Sequence, residues 1–324
     1  MFINGVLGPV NTSAMGQTLM HEHVTCADWS MRMNFGTRFF DREKVMDSAK
    51  HYFGQAKELG VRTVVDGTPV NLGRDIRLIR DVAEATGLNF IASSGFYYQE
   101  EPWLQSRSSD ELYELLAGEC KYGLQDTDIL PGIMKCACDK SGVTSLMEKI
   151  LTATGRAAVE FDLPVFCHTA PLFHSADGAI DILIGCGVPP ERIIAGHSGD
   201  SDDVEYLESL IKRGVYLGMD RFGMSDYAKP PYDLRGIELV AELIKRGWSK
   251  QLILSHDTAA YLAFGVEDEP GWENKDDMLV FSRIHKVIIP ALEAKGIPGE
   301  QIYSMLIDNP RNFFEGNRME NGYV

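Results

Sequence analysis

The sequence predicts an α/β fold of the (β/α)8 barrel class. Eight short apolar runs recur along 324 residues, and amphipathic stretches that close at or near Gly lead into several of them. Polar and ionisable residues stand at the carboxyl ends of these runs, which favours a closed barrel, where such ends converge on one mouth. No Gly-x-Gly-x-x-Gly turn follows the first run, which weakens the alternative of a doubly wound, dinucleotide-binding sheet.

The elements follow in order. Residues 18–24 form the first run and hold Leu19-Met20-His21-Glu22-His23; strand alternation would put His21 and His23 on one face. Glu58-Leu59-Gly60 leads into the run 61–66, and Thr86-Gly87 into 88–92. Ser108 with Glu111 reads as a capping box ahead of Leu112, Leu115 and Leu116. Runs at 129–137, 164–168 and 192–197 follow. Asp202-Asp203 opens a helix carrying Leu207, Leu210 and Ile211, which Lys212-Arg213-Gly214 stops before the run 215–220. Ile237, Val240, Ala241 and Ile244 recur with helical period, and Lys245-Arg246-Gly247 precedes the last run, 251–255. Near-continuous apolar runs of this length suit parallel strands buried on both faces. No linker or low-complexity segment interrupts the pattern, so residues 1–324 read as a single barrel domain. The long connections 25–40, 96–107, 221–234 and 258–275 each follow a strand and would lie over the mouth.

Apolar content of 44% and charged content of 24% are those of a globular protein. A net charge of -16 argues against a nucleic-acid partner or an anionic membrane surface. Six cysteines lie scattered, no Lys or Arg precedes Arg32, and no apolar stretch reaches the ~20 residues of a membrane span; the expectation is a cytoplasmic protein with reduced thiols. Cys136 and Cys138 would share the strand face opposite Lys135 and fill space under helices rather than bind metal.

The strand-end residues make the chemistry. His21, His23, His168, His197 and Asp257 offer imidazole and carboxylate donors suited to zinc and similar first-row ions. They are too many for one catalytic metal with an open position and suit two divalent ions sharing a bridge. Lys135 has no lone pair as an ammonium, but burial beside cations would favour its neutral amine, which can take up carbon dioxide as a bridging carbamate. Such a centre would supply hydroxide near neutral pH, with Asp257 moving its proton to the leaving oxygen. The expected class is metal-assisted hydrolysis.

His21-Glu22-His23, Lys135, His168, His197 and Ser255-His256-Asp257 follow in order and spacing the pattern of the phosphotriesterase family of the amidohydrolase superfamily, which the whole chain resembles. The resemblance implies a TIM barrel with a binuclear centre: His21, His23 and Asp257 on the more buried ion, His168 and His197 on the more exposed one, and N6-carboxylated Lys135 between. Gly218-Met219-Asp220-Arg221-Phe222-Gly223 looks like the Gly-Leu-Asp-Arg-Tyr-Gly segment of phosphotriesterase-like lactonases, with Phe222 for the usual Tyr. Gly95-Phe96-Tyr97 resembles the position of their pocket tyrosine. This implies hydrolysis of N-acyl-homoserine or other lactones beside weak organophosphate hydrolysis, Tyr97 and Arg221 on the substrate side, and a homodimer.

From the residues alone, Tyr97 reads equally as a packed loop aromatic, and Arg221 as the partner of Asp220 or Asp226. Tyr261, Phe264 and Trp272 read as an apolar wall for a substrate chain or as a dimer contact. His256 should face the helices, away from Asp257. His51, His174 and His285 read as ordinary helix or solvated residues. The metals are zinc first, with iron, cobalt or manganese as alternatives. The competing functions are a phosphotriesterase or carboxylesterase using the same centre, an amide-hydrolysing or deaminase relative, and a non-catalytic metal-binding protein.

Overall fold

The computed structural model describes residues 1–223, 232–263 and 280–317. An antiparallel hairpin, β1 (Phe2–Gly5) and β2 (Gly8–Asn11), precedes the main sheet. The main sheet holds β3 (Gln17–Ala27), β4 (Val61–Asp66), β5 (Asn89–Gly95), β6 (Ile133–Cys138), β7 (Val165–Thr169), β8 (Ile193–Ala195), β9 (Tyr216–Met219), β10 (Leu252–Leu254) and β11 (Ala259–Ala263). All neighbours pair in parallel, in the order β10-β9-β8-β7-β6-β5-β4-β3-β11. The sheet curls until its ends meet: Asp257 N–H donates to the His21 carbonyl at 3.0 Å, and His21 N–H to Ser255 Oγ at 3.0 Å. Strands β3 to β10 with their intervening helices make the (β/α)8 TIM barrel that the apolar runs predict.

Helix boundaries obey local chemistry. Ser108 and Glu111 form the reciprocal capping box at the head of Ser109–Tyr122, and the Asp203 side chain caps Val204–Lys212. Apolar packing is split in two. One cluster lies between strands and helices and includes Cys136 and Cys138, the packing role expected of those two thiols, together with Cys167. The second fills the bore with Met20, Val65, Ile91, Ile133, Phe166, Ile194, Tyr216 and Ile253, closed by Ile3 of the hairpin and by Phe313 and Phe314 of the helix Asp308–Glu315.

Several elements differ from the sequence reading. The hairpin was not foreseen, and β11 occupies part of what reads as the loop 258–275. The run expected over 129–137 becomes strand only at Ile133. Strict alternation also fails in β3. The β3–β4 register shifts between Leu19 and Glu22, so Met20 joins the bore cluster while the next residue, His21, packs its ring 4.3 Å from Phe166 of that same cluster. Tyr261, read as part of a substrate wall or of a dimer contact, is buried in the cluster under the helices because it sits within β11. Phe264 and Trp272 lie outside the described residues. Among the described residues no helix is long and apolar enough to cross a membrane.

Candidate metal centre

The carboxyl ends of the barrel strands supply every donor. His21 and His23 come from β3, Lys135 from β6 and His168 from β7. His197 and Asp257 stand just beyond β8 and β10 in left-handed backbone, at φ 62° and 52°. All six are buried. At Gly67 the β4 end passes so close that a Cβ there would lie 2.6 Å from the His21 ring; only glycine leaves that imidazole its place.

The structure brings the six together. Asp257 Oδ1 is 3.2 Å from both His21 Nε2 and His23 Nε2. Lys135 Nζ reaches His21 Nε2 at 2.8 Å and lies 4.2 Å over the Phe166 ring. His197 Nε2 and His168 Nδ1 face each other at 2.8 Å. Tyr97 places its hydroxyl 3.3 Å from His168 Nδ1, and the Tyr98 ring lies 5.1 Å from the same imidazole. Arg221 Nε donates to Asp257 Oδ2 at 3.0 Å and its Nη1 to Asp200 Oδ2 at 2.7 Å; Asp226, the other partner its sequence suggested beside Asp220, lies outside the described residues.

Each imidazole is anchored by its other nitrogen. His21 Nδ1 meets Asp220 Oδ2 at 2.9 Å, His23 Nδ1 meets Thr68 Oγ1 at 2.8 Å, and His197 Nδ1 meets Asp220 Oδ1 at 3.2 Å. His168 Nε2 lies 3.4 Å from Asp139 Oδ1. Sequence reasoning missed Thr68, Asp139, Asp200 and Asp220 as site residues. Asp139 and Asp220 carried a usable signal, since each sits at a strand end. His256 faces away from Asp257, its Nδ1 2.7 Å from Glu22 Oε1. Glu22 also accepts from Ser255 Oγ at 2.7 Å and His256 N–H at 3.0 Å, so the middle residue of the His-Glu-His word fastens the segment that carries Asp257.

Burial sets the protonation pattern. It pulls His21 down to about 3 and His168 to about 4, and takes His197 well below the usual imidazole range. Lys135 falls to about 8 for the same reason, against the pull of Asp257 and Asp220. His23 goes the other way: burial opposes its charge, but Cys26 and Asp257 outweigh it and push the pKa up to about 10. Burial disfavours the Asp257 carboxylate too, yet the neighbouring imidazoles and Arg221 hold it well below the ordinary range.

The donors fit a divalent cation. His21, His23 and Asp257 present ligand atoms within 4.8 Å of one another, all buried, and imidazole nitrogens beside a carboxylate are the donor set of zinc-type ions.

The chain is similar along nearly its whole length to known proteins. A profile of the Phosphotriesterase family matches residues 1–314. A "Phosphotriesterase homology protein" of Mycobacterium tuberculosis is 36% identical, covering 97% of this chain and 97% of its own length. An "Aryldialkylphosphatase" of Saccharolobus solfataricus is 31% identical, covering 94% and 96%. An "N-acetyltaurine hydrolase" of Tetraodon nigroviridis is 25% identical, covering 96% and 97%.

Proposed function

This chain belongs to the phosphotriesterase family and is a metal-dependent hydrolase; from that premise we propose that it opens lactone rings with two divalent ions at the barrel mouth. The observation that carries the reading is the convergence of two hydrogen-bonded groups, His21, His23, Lys135 and Asp257 in one and His168 with His197 in the other, 3.6 Å apart between His197 Nδ1 and Asp257 Oδ2, with the Tyr97 hydroxyl at the edge. His21, His23 and Asp257 would hold the inner ion, His168 and His197 the outer one, and Lys135, as the N6-carboxylated residue, would lie between them. Zinc suits the donors first. When bound, such ions polarise a carbonyl or phosphoryl oxygen and bring the pKa of water towards neutrality.

The chain's own residues do the rest. Lys135, lowered to about 8 by burial, reaches its neutral amine within the physiological range, the form that combines with carbon dioxide. Asp257 accepts the proton of the attacking water at its carboxylate. As the new carbon–oxygen bond forms and the ring carbon–oxygen bond breaks, that proton passes to the ring oxygen and a hydroxy acid results. Arg221 holds Asp257 Oδ2, so the carboxylate keeps one orientation through the exchange. The Tyr97 hydroxyl, 3.3 Å from His168 Nδ1, would hydrogen-bond the lactone.

A panel of γ- and δ-lactones, N-acyl-homoserine lactones, paraoxon-type triesters, aryl esters and N-acyl amides tests this. Lactones should give the highest kcat/KM, and lactones turned over no faster than simple aryl esters would remove the reading. Phosphotriester hydrolysis is the second reading, favoured by the aryldialkylphosphatase relative.

The protein is proposed to act as a cytoplasmic homodimer. Met33 and Phe35, 76% and 55% exposed after β3, are the apolar side chains a second copy would cover. A monomeric mass by light scattering at micromolar concentration would remove that expectation.

A further inference from the structure

Asp220 touches one imidazole of each proposed half-centre. Its Oδ2 lies 2.9 Å from His21 Nδ1, and its Oδ1 lies 3.2 Å from His197 Nδ1 while accepting the His197 backbone N–H at 2.7 Å. The side chain is fully buried. The remaining two rings have private anchors, Thr68 for His23 and Asp139 for His168. Asp220 meets the Nδ1 of one ring in each half within hydrogen-bond distance, whereas Asp257, which contacts His21 and His23 through Nε2, lies 3.6 Å from His197 Nδ1.

His21, His197 and Asp220 could themselves be read as a cation site, since their ligand atoms lie within 4.8 Å. Two facts oppose this. The His197 N–H takes one of the two acceptor directions of Oδ1, which leaves room there for one ring N–H but not for a cation's shared coordination with both rings. A cation on His21 Nδ1 would also leave the proton on Nε2, which removes that nitrogen from the set around Asp257. The same three residues make better sense as a clamp. A carboxylate only accepts hydrogen bonds, so it fixes the proton on Nδ1 of both rings and turns both Nε2 lone pairs inward, one towards Asp257 and Lys135, the other towards His168.

We propose that Asp220 is a positioning residue that couples the two ion sites: one carboxylate sets the tautomer of a ligand in each, so the affinities of both ions rise and fall together. The proposal rests on the two-ion reading above. Coupling through Asp220 predicts a particular pattern of loss. Asp220→Ala should weaken both ions by tenfold or more. Thr68→Val should weaken only the inner ion, and Asp139→Asn only the outer one.

The experiment is a zinc titration with a competing chelator on metal-free wild type and the three variants, with bound zinc counted by mass spectrometry and folding checked by circular dichroism. Loss of a single ion in Asp220→Ala, with the other at wild-type affinity, would overturn the coupling. A second measurement needs no variant. Nitrogen-15 spectra of histidine-labelled, metal-free wild type should show Nδ1–H tautomers at His21 and His197, with His168 donating from Nδ1 across the 2.8 Å contact to His197 Nε2. An Nε2–H tautomer at His21 or His197 would overturn the clamp. If wild type itself binds one zinc per chain, the two-ion reading fails, and the spectra still decide whether Asp220 sets both rings.

Discussion

Replacing Arg221 with Met removes a buried cation while keeping most of its apolar stem. The guanidinium is 8% exposed and holds two carboxylates, Asp257 and Asp200, themselves 11% and 10% exposed. Hydrogen bonds between charged groups contribute ~1.5–3 kcal/mol each. Two of them give a gross loss of ~3–6 kcal/mol, reduced because the arginine no longer has to be desolvated, so the expected net cost is ~3–5 kcal/mol. An exposed pair would cost no more than ~1 kcal/mol. The pH dependence has a definite sign. Burial already raises the Asp200 pKa and Arg221 opposes it, so the variant raises it further. A carboxyl with a folded pKa above its unfolded value binds more protons in the folded state, so its penalty grows as pH rises through that window. The deficit of Arg221→Met should therefore be larger at pH 8 than at pH 5. Urea unfolding of the metal-free protein measures it. Asp200→Asn and the double variant complete a cycle with a coupling of ~1–3 kcal/mol. A cost below ~1 kcal/mol at pH 8, with no coupling to Asp200, would refute the reasoning.

Other expectations follow from the same geometry. Lys135→Met should lower bound zinc below the wild-type level and reduce kcat by ~100-fold or more, and a carbamate signal seen after labelling wild type with carbon-13 bicarbonate should vanish; zinc content equal to wild type would deny Lys135 its role. In the metal-free protein at pH 7, His23 and Lys135 both carry protons, with pKa values of about 10 and about 8. Zinc loading should therefore release ~1–2 protons at pH 7 and fewer at pH 9, read by calorimetry in buffers of different ionisation enthalpy; a binding heat independent of buffer contradicts this. Glu22→Gln removes the charge from the three hydrogen bonds that Oε1 accepts and turns an amide NH2 against the Thr258 N–H that Oε2 accepts at 3.3 Å, and should cost ~2–4 kcal/mol in urea unfolding, with a wild-type midpoint counting against the fastening role.

Much of the barrel was legible because its strands are buried on both faces, which writes them as apolar runs with ionisable ends. The weaker elements were not. The hairpin β1–β2 is mostly exposed and lacks a clean alternation, so its four-residue strands left no periodic signal. β11 follows Asp257 after only one residue, too short a gap for a helix, and pairs with β3 outside the repeating strand–helix phrase. The six expected donors needed only their place at strand ends to be found. Their anchors were harder. Thr68 and Asp200 act through side-chain bonds to residues far away in sequence, His23 and Arg221, and nothing local marks them. Arg221 read either as a substrate-side residue or as a partner of Asp220 or Asp226, the acidic neighbours in sequence. In the fold Asp220 is committed to two imidazoles, and Arg221 turns to Asp257 and Asp200 instead.

The two donors that stand beyond their strands are also the two in left-handed backbone, His197 at φ 62° and Asp257 at φ 52°. A non-glycine residue there costs on the order of 1 kcal/mol or more and persists only where its surroundings hold it. Both are held by their own N–H groups, His197 by the Asp220 carboxylate and Asp257 by the His21 carbonyl. One restraint therefore comes from the residue that orients two imidazoles, and the other from a residue that supplies one of them. The strained backbone, the imidazole orientations and the closure of the barrel between β3 and β10 are thus not separable features. A change that relaxes Asp257 must loosen the His21 contact that closes the barrel, and so disturb the ring that faces Lys135.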